Sequence, residues 1–175
     1  VLTILWVVGL MNSINMLDNM DGITTSISLI ILIIILSIML GHEHNPTYLT
    51  IVIGLIATLF CFLYFNWNPS KMFMGDTGSL TLGGIIAALA IIVHKELLIP
   101  IFCGVFLVEN LSVIMQVSYF KYTKKRYGVG RRVFLMSTLH HHFQKKGYHE
   151  SKIVTRFWIM TTLLVVLSIV TLKLR

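Results

Sequence analysis

Charge is scarce in this chain. Of its 175 residues only 12% are Asp, Glu, Lys or Arg, whereas 56% are hydrophobic and the mean hydropathy is +0.85. A typical soluble domain carries about twice that share of charge, so a water-exposed globule is excluded and a membrane composition indicated. Cysteine is scarcer still. Cys61 and Cys103 fall inside apolar runs without the spacing of a metal site, and read as small buried hydrophobes rather than as a disulfide or zinc framework. Acidic residues number seven against fourteen basic ones. Yet no folded polar module is present to turn a basic face to nucleic acid, and that partner is excluded. The first apolar run begins at Val1 without a Met or a charged flank, so no signal peptide is expected in front of it. The expectation is a single transmembrane domain over 1–175 that starts in the middle of a longer protein.

Long apolar runs dominate what is there. They cover Val1 to Met11, Ile23 to Leu40, Tyr48 to Phe65, Leu80 to Val93, Leu97 to Ser118 and Ile153 to Leu172. A bilayer core of ~30 Å needs ~20 helical residues, so the first run is a truncated span and the other five are full spans, the Leu80 run being short. The predicted fold is therefore an all-α polytopic transmembrane bundle of about six helical segments. Alternation puts the loops Asn12 to Gly22, Asn66 to Ser79 and Tyr119 to Ser151 on one side, with Gly41 to Thr47 and His94 to Glu96 on the other. Of the fourteen basic residues only Lys95, Lys173 and Arg175 lie opposite the three long loops, so the positive-inside rule makes the long-loop side cytoplasmic. His42, Glu43 and His44 on the far side read as a solvated turn before Pro46.

All three aspartates fall on the cytoplasmic side. Asn12, Asn15, Asp18 and Asp21 recur every third residue, a step at which all four can line one wall of a helix or 3₁₀ turn. An ordinary capped helix end would use the same residue types. In the second loop, Gly75-Asp76-Thr77-Gly78-Ser79 combines glycines that allow close approach of a ligand, a hard oxygen on Asp76, and Thr77 or Ser79 as caps of the next helix. A carboxylate beside an uncovered helix N-terminus suits a Mg²⁺-bridged phosphate. A capped re-entry into the membrane is the plainer alternative.

Glu109, Ser112 and Gln116 share one face of the Leu97 to Ser118 run, and an ionisable group at membrane depth normally faces the protein interior. That face reads as structural support for the cytoplasmic site, with Gln116 nearest a ligand. The basic stretch Lys121 to Arg132 reads as an anchor beside anionic head groups or as an attractor of an anionic substrate. His140, His141 and His142 first bring zinc to mind, but neighbouring side chains diverge and zinc prefers spaced ligands. Imidazoles also donate to phosphate oxygens and shuttle protons near neutral pH. Together, carboxylates, histidines and surplus positive charge at one membrane face equip the chain for Mg²⁺-assisted phosphoryl chemistry on a diphosphate.

Asn-Ser-Ile-Asn-Met-Leu-Asp-Asn-Met-Asp-Gly from Asn12, Phe-Met-Gly-Asp-Thr-Gly-Ser-Leu from Phe73, Leu-His-His-His-Phe-Gln-Lys-Lys-Gly from Leu139 and the ending from Arg156 resemble, in order, the C-terminal half of the bacterial phospho-N-acetylmuramoyl-pentapeptide-transferase family. The resemblance runs over essentially the whole chain. It implies a parent of about ten spans in the bacterial plasma membrane that serves peptidoglycan synthesis. The implied reaction moves phospho-MurNAc-pentapeptide from its UDP carrier to undecaprenyl phosphate with Mg²⁺, giving lipid I and UMP. The implied partners are UDP-MurNAc-pentapeptide, undecaprenyl phosphate and membrane lipid, with a homodimer as a compatible assembly. By position, Asp76 is the implied Mg²⁺ ligand, Asn15, Asp18 and Asp21 line the nucleotide pocket, and Asn66 and Phe73 lie at the uridine end. His140, His141 and His142 serve the diphosphate or catalysis, and Gln116 lies near the substrate. This chain departs in having Asn19 where many members have Gly, and in a longer basic insert at Tyr122 to Arg132. An acidic pair and a lysine that the family carries in an earlier loop have no counterpart here, so the expectation is that this chain alone does not turn over. A sibling transferase that loads N-acetylglucosamine phosphate on the same lipid is the alternative enzyme. A transporter is the non-enzyme alternative, and it would spread its charges along a route to both faces.

Overall fold

The computed structural model describes residues 2–42, 45–93, 101 and 103–173. Among these residues the chain forms seven helices and no strand. They are α1 (Leu2–Leu17), α2 (Ile23–His42), α3 (Pro46–Asn66), α4 (Gly75–Ile92), α5 (Gly104–Tyr127), α6 (Leu139–Lys145) and α7 (Glu150–Lys173). Glu43, His44, His94, Lys95, Glu96, Arg175 and the start of the Leu97 run lie outside the described residues, as do the side chains of His42 and Lys173.

The bundle is organised around α1 and α2. Helix α1 packs on α4 and α5, and α2 packs on α3 and α7. Ile23–Gly41, Pro46–Asn66, Gly75–Ile92 and Glu150–Thr171 are long and apolar enough to cross a bilayer. Their burial differs sharply, at 72% of the first and 11% of the second. A helix apolar on all sides is either enclosed by protein or bathed in lipid, and α2 and α3 take one solution each. Cys61 consequently lies exposed on α3, contrary to the expectation of a buried hydrophobe, while Cys103 is buried.

Helix boundaries correct the expected spans. The polar residues from Asn12 continue α1 to Leu17 instead of opening a loop, and Gly75 to Ser79 form the first turn of α4 rather than its approach. Helix α5 runs on past Ser118 to Tyr127, where Gly128 adopts φ 73° and its N–H closes on the Lys124 carbonyl at 3.1 Å. Lys124, Lys125 and Arg126 in that last turn complement the negative end of the helix dipole. At the other face Asn45 caps α3 by accepting the Thr47 N–H at 3.1 Å, with Pro46 at the first helical position.

Helices α1 and α4 come into backbone contact at Gly83. A Cβ there would lie 2.7 Å from the Cα of Met11, so any side chain would push the two helices apart. This close approach, one turn from Asn15, sets the distance between the ends of α1 and α4 at which the polar residues meet.

Candidate functional site

Asn15 on the last turn of α1 reaches the first turn of α4. Its Nδ2 donates to Oδ1 of Asp76 at 3.0 Å and to Oγ of Ser79 at 2.9 Å. Gly75 opens α4 with φ 68°, a left-handed conformation that glycine adopts without strain, and so turns Asp76 toward α1. Neither Thr77 nor Ser79 caps this helix, against expectation. Met74 holds the cap position without a side-chain bond, and Ser79 is a buried residue whose hydroxyl donates back to the Gly75 carbonyl at 3.0 Å. The N-cap residue thus leaves this first turn uncapped, and of its backbone N–H groups the one at Gly75 goes to Asp18.

Asp18 stands in the turn that follows α1. Burial pushes its carboxyl up to about 6, and the charge of Asp76 pushes the same way, while a hydrogen bond from the Gly75 backbone partly offsets them. Two carboxylates thus share one space. No Lys, Arg or His forms an ion pair with either among the described residues. Asn19 closes the turn by donating to the Met16 carbonyl at 2.8 Å.

The four residues spaced by three do not form one wall. Asn12 is exposed and Asn15 and Asp18 face Asp76, whereas Asp21 turns to the loop between α3 and α4. There its carboxylate accepts from the Ser70 hydroxyl at 2.7 Å, the Ser70 N–H at 3.1 Å and Asn68 Nδ2 at 3.3 Å. The reason is that α1 ends at Leu17, so the helical step no longer governs the direction of Asp21. Asn66 is likewise occupied at both ends: its Oδ1 accepts from Thr25 at 2.8 Å and its Nδ2 donates to the Met72 carbonyl at 2.9 Å. Asp21 and Asn66 therefore brace the 67–74 loop, from which Phe73 projects with 75% of its surface exposed.

A second polar assembly runs along α5. Glu109, Ser112, Gln116 and Thr123 hold the chain that returns from Gly128. Thr123 Oγ1 accepts the Arg131 N–H at 2.9 Å, and Gln116 Oε1 accepts the N–H groups of Val133 and Phe134 at 3.0 and 2.9 Å. Ser112 donates to the Ser137 carbonyl at 3.0 Å, and Glu109 accepts from the N–H groups of Leu139 and His140 at 2.9 and 3.1 Å. The expected support face is thus a strap. Gln116 spends its side chain on backbone, which leaves it a holder of the returning segment.

This strap positions the histidines. Glu109, fully buried, also takes His140 Nδ1 at 3.2 Å, and an acceptor-only carboxylate fixes the proton on that nitrogen. His141 Nδ1 lies 3.1 Å from Gln144 Oε1. His142 Nδ1 accepts the Leu135 N–H at 3.1 Å, so Nε2 carries the proton of its neutral ring. The three rings thus have three different partners, and no group of three metal-binding side chains converges among the described residues. No hydrogen bond joins the histidines to Asp18 or Asp76 among the described residues. Sequence reading missed Ser70, Asn68 and Thr25, whose small polar side chains carry no signal until their partners are in space.

Known proteins similar to this chain in sequence are numerous. The family model described as Glycosyl transferase family 4 matches residues 1–94, more than half of the chain. The phospho-N-acetylmuramoyl-pentapeptide-transferase of Flavobacterium psychrophilum is 56% identical over 178 residues, covering 94% of this chain and 44% of the relative. Its namesakes in Amoebophilus asiaticus and Parabacteroides distasonis are 51% and 48% identical, over 94% and 100% of this chain and 44% and 49% of their own. The chain therefore spans about half the length of the curated relatives it matches. From the family model across its first 94 residues, and from relatives alike along almost all of it, it follows that the chain belongs to glycosyl transferase family 4.

Proposed function

We propose that this chain carries part of the active site of a transferase that moves phospho-MurNAc-pentapeptide from UDP to undecaprenyl phosphate, with residues outside the chain completing the site. The name that these relatives share supports that donor. The observation that carries the reading is the pair Asp18 and Asp76 at the junction of α1 and α4, where Asn15 holds Asp76 and neither carboxylate has a basic partner among the described residues. Side by side, two carboxylates repel, and a bound divalent cation offsets that repulsion. The donor set fits Mg²⁺, which takes oxygen ligands, needs only one or two carboxylates and completes its shell with water and substrate phosphate. Asp76 would hold the ion, with Asp18 as the second negative wall. When bound, Mg²⁺ neutralises the oxygens of the diphosphate.

The protein's own groups then have separate tasks. Asn15 fixes the direction of Asp76. Beyond Gly75, whose N–H goes to Asp18, the first turn of α4 offers backbone N–H groups and the positive end of a helix dipole to phosphate oxygens. Asp21 and Asn66 hold the loop that carries Phe73, an exposed ring available to stack on a base. His142, with its Nε2 proton free, donates to a phosphate oxygen, while Glu109 and His140 hold the short helix α6 on which it sits. In the net exchange an acceptor phosphate oxygen bonds to the sugar-bearing phosphorus, the diphosphate bridge breaks and UMP leaves. By the positive-inside rule these loops face the cytoplasm of a bacterial plasma membrane.

Donor competition tests the reading. Purified full-length protein in nanodiscs is given labelled undecaprenyl phosphate with UDP-MurNAc-pentapeptide, UDP-N-acetylglucosamine or both. Product carrying the muramoyl-pentapeptide is expected, and product carrying only N-acetylglucosamine would assign the chain to the sibling transferase.

A further inference from the structure

Beside the strap on α5 lies a groove that shares only Gln116 and Ser137 with it. It has a volume of ≈ 590 Å³ and is lined from α5 by Val117, Phe120, Lys121 and Lys124 and from the returning segment by Arg132 and Met136. The four α5 positions stand at i, i+3, i+4 and i+7, one face of the helix. Along that face the order matters: the apolar pair comes first, and the two lysines follow toward the end of the helix. Arg132 closes the same end from the other wall, fixed there because its neighbours Arg131 and Val133 donate their N–H groups to Thr123 and Gln116.

Among the described residues the charge on this groove has no internal counterpart, and no carboxylate lines it. Among the described acidic residues, Glu109 is bonded to His140 and Glu150 to Gln144, and the aspartates gather around Asn15 and Ser70. The neighbouring arginines are engaged differently. Arg126 lies over the rings of Tyr122 and Tyr127, at 5.9 and 5.5 Å, and Arg131 lies over Tyr127 at 5.4 Å. That leaves Lys121, Lys124 and Arg132 as a cationic mouth above an apolar floor.

We infer that this groove binds an anionic phospholipid of the bilayer, its phosphate held by Lys121, Lys124 and Arg132 and its acyl chain laid over Val117, Phe120 and Met136. The polarity of the groove matches such a lipid end for end, apolar toward the span and cationic beyond it. Basic residues at a membrane surface attract anionic lipid by roughly five-fold in affinity each. Three cations converging on one cavity add geometry to that attraction. The bound lipid would also pin the returning segment that leads to α6.

The test titrates detergent-solubilised full-length protein with phosphatidylglycerol and, separately, phosphatidylcholine, and counts bound lipid by native mass spectrometry. One phosphatidylglycerol is expected to be retained at least ~10-fold more tightly than phosphatidylcholine. Lys121, Lys124 and Arg132 changed together to Ala should weaken it roughly 100-fold, while Lys145, Lys146 and Lys152 changed to Ala, with the same loss of charge, should shift it less than about three-fold. Val117→Ser should weaken long-chain phosphatidylglycerol yet leave the short-chain, water-soluble analogue unchanged. Equal losses in the two triple variants would reduce the groove to unspecific surface charge and overturn the inference. So would displacement by undecaprenyl phosphate at a far lower concentration, which would make the acceptor the occupant. If the first triple variant does not fold, Arg132→Gln, which lies outside any helix, is expected to cost about five-fold, and no change there would be equally decisive. None of these readouts depends on transfer activity, so the inference and the proposed reaction fail separately.

Discussion

Asn15 and Asp76 meet at 3.0 Å, the amide nitrogen of one donating to a carboxylate oxygen of the other, and the same nitrogen reaches Ser79 at 2.9 Å. One amide therefore locks the last turn of α1 to the first turn of α4 and fixes the carboxylate assigned to the metal. Groups that orient a metal ligand without touching the metal typically contribute 10–100-fold to affinity.

Asn15→Ala should accordingly raise the Mg²⁺ concentration for half-maximal transfer by about 10–100-fold and leave turnover at saturating Mg²⁺ nearly intact. A Mg²⁺ titration of the full-length variant measures both. An unchanged half-saturation would remove Asn15 from the metal's surroundings.

Gly83→Ala should separate α1 from α4, because the added methyl meets the Met11 backbone, which cannot turn aside. The expected cost is about 1–3 kcal/mol of stability, seen as a lowered Tm, with weaker Mg²⁺ binding as the Asn15 contact opens. Gly84→Ala is the control. Its methyl would sit 3.8 Å from the Met11 sulfur, an ordinary contact, and little change is expected.

Glu109→Gln keeps the size of a fully buried side chain but replaces one of two accepting oxygens with a donor. One of the N–H groups at the start of α6 then loses its partner, at a cost of about 1–3 kcal/mol. Amide exchange over residues 135–145 should quicken and transfer should fall at least ~10-fold as the histidines lose their frame. Protection equal to that of the native protein would show that Glu109 does not hold this helix.

Asp21→Ala tests whether this residue binds nucleotide or braces a loop. With its three hydrogen bonds from Asn68 and Ser70 gone, proteolysis within 67–74 should speed up in the absence of any ligand. A loop as resistant as before, coupled with a raised KM for the donor, would return Asp21 to the nucleotide pocket.

Much of the fold was legible in the sequence. Uninterrupted apolar runs can only be buried or lipid-facing, which makes the helices evident. The ends of the helices were not legible. Asn12 to Leu17 and Gly75 to Ser79 look like loop by composition, yet they are helical: Asn15 finds Asp76 and Ser79 across the α1–α4 junction, and Ser13 bonds back to the Gly9 carbonyl within α1. The step of three from Asn12 to Asp21 held as a pattern only as far as the helix did. The strap was partly visible, since Glu109, Ser112 and Gln116 share a face, but its partners are backbone N–H and carbonyl groups that no residue type announces. For Asp21 and Asn66 the sequence could not separate a bracing role from a binding one, as both need the same side chains.

Transfer by the full-length Asp76→Asn variant, at saturating donor and across a range of Mg²⁺, tests the central claim most directly. A metal ligand acts on the transition state, so turnover should be abolished at every Mg²⁺ concentration while the protein remains folded. Turnover equal to that of the unaltered protein would contradict the assignment of Asp76, and with it the reading of the α1–α4 junction as the metal site.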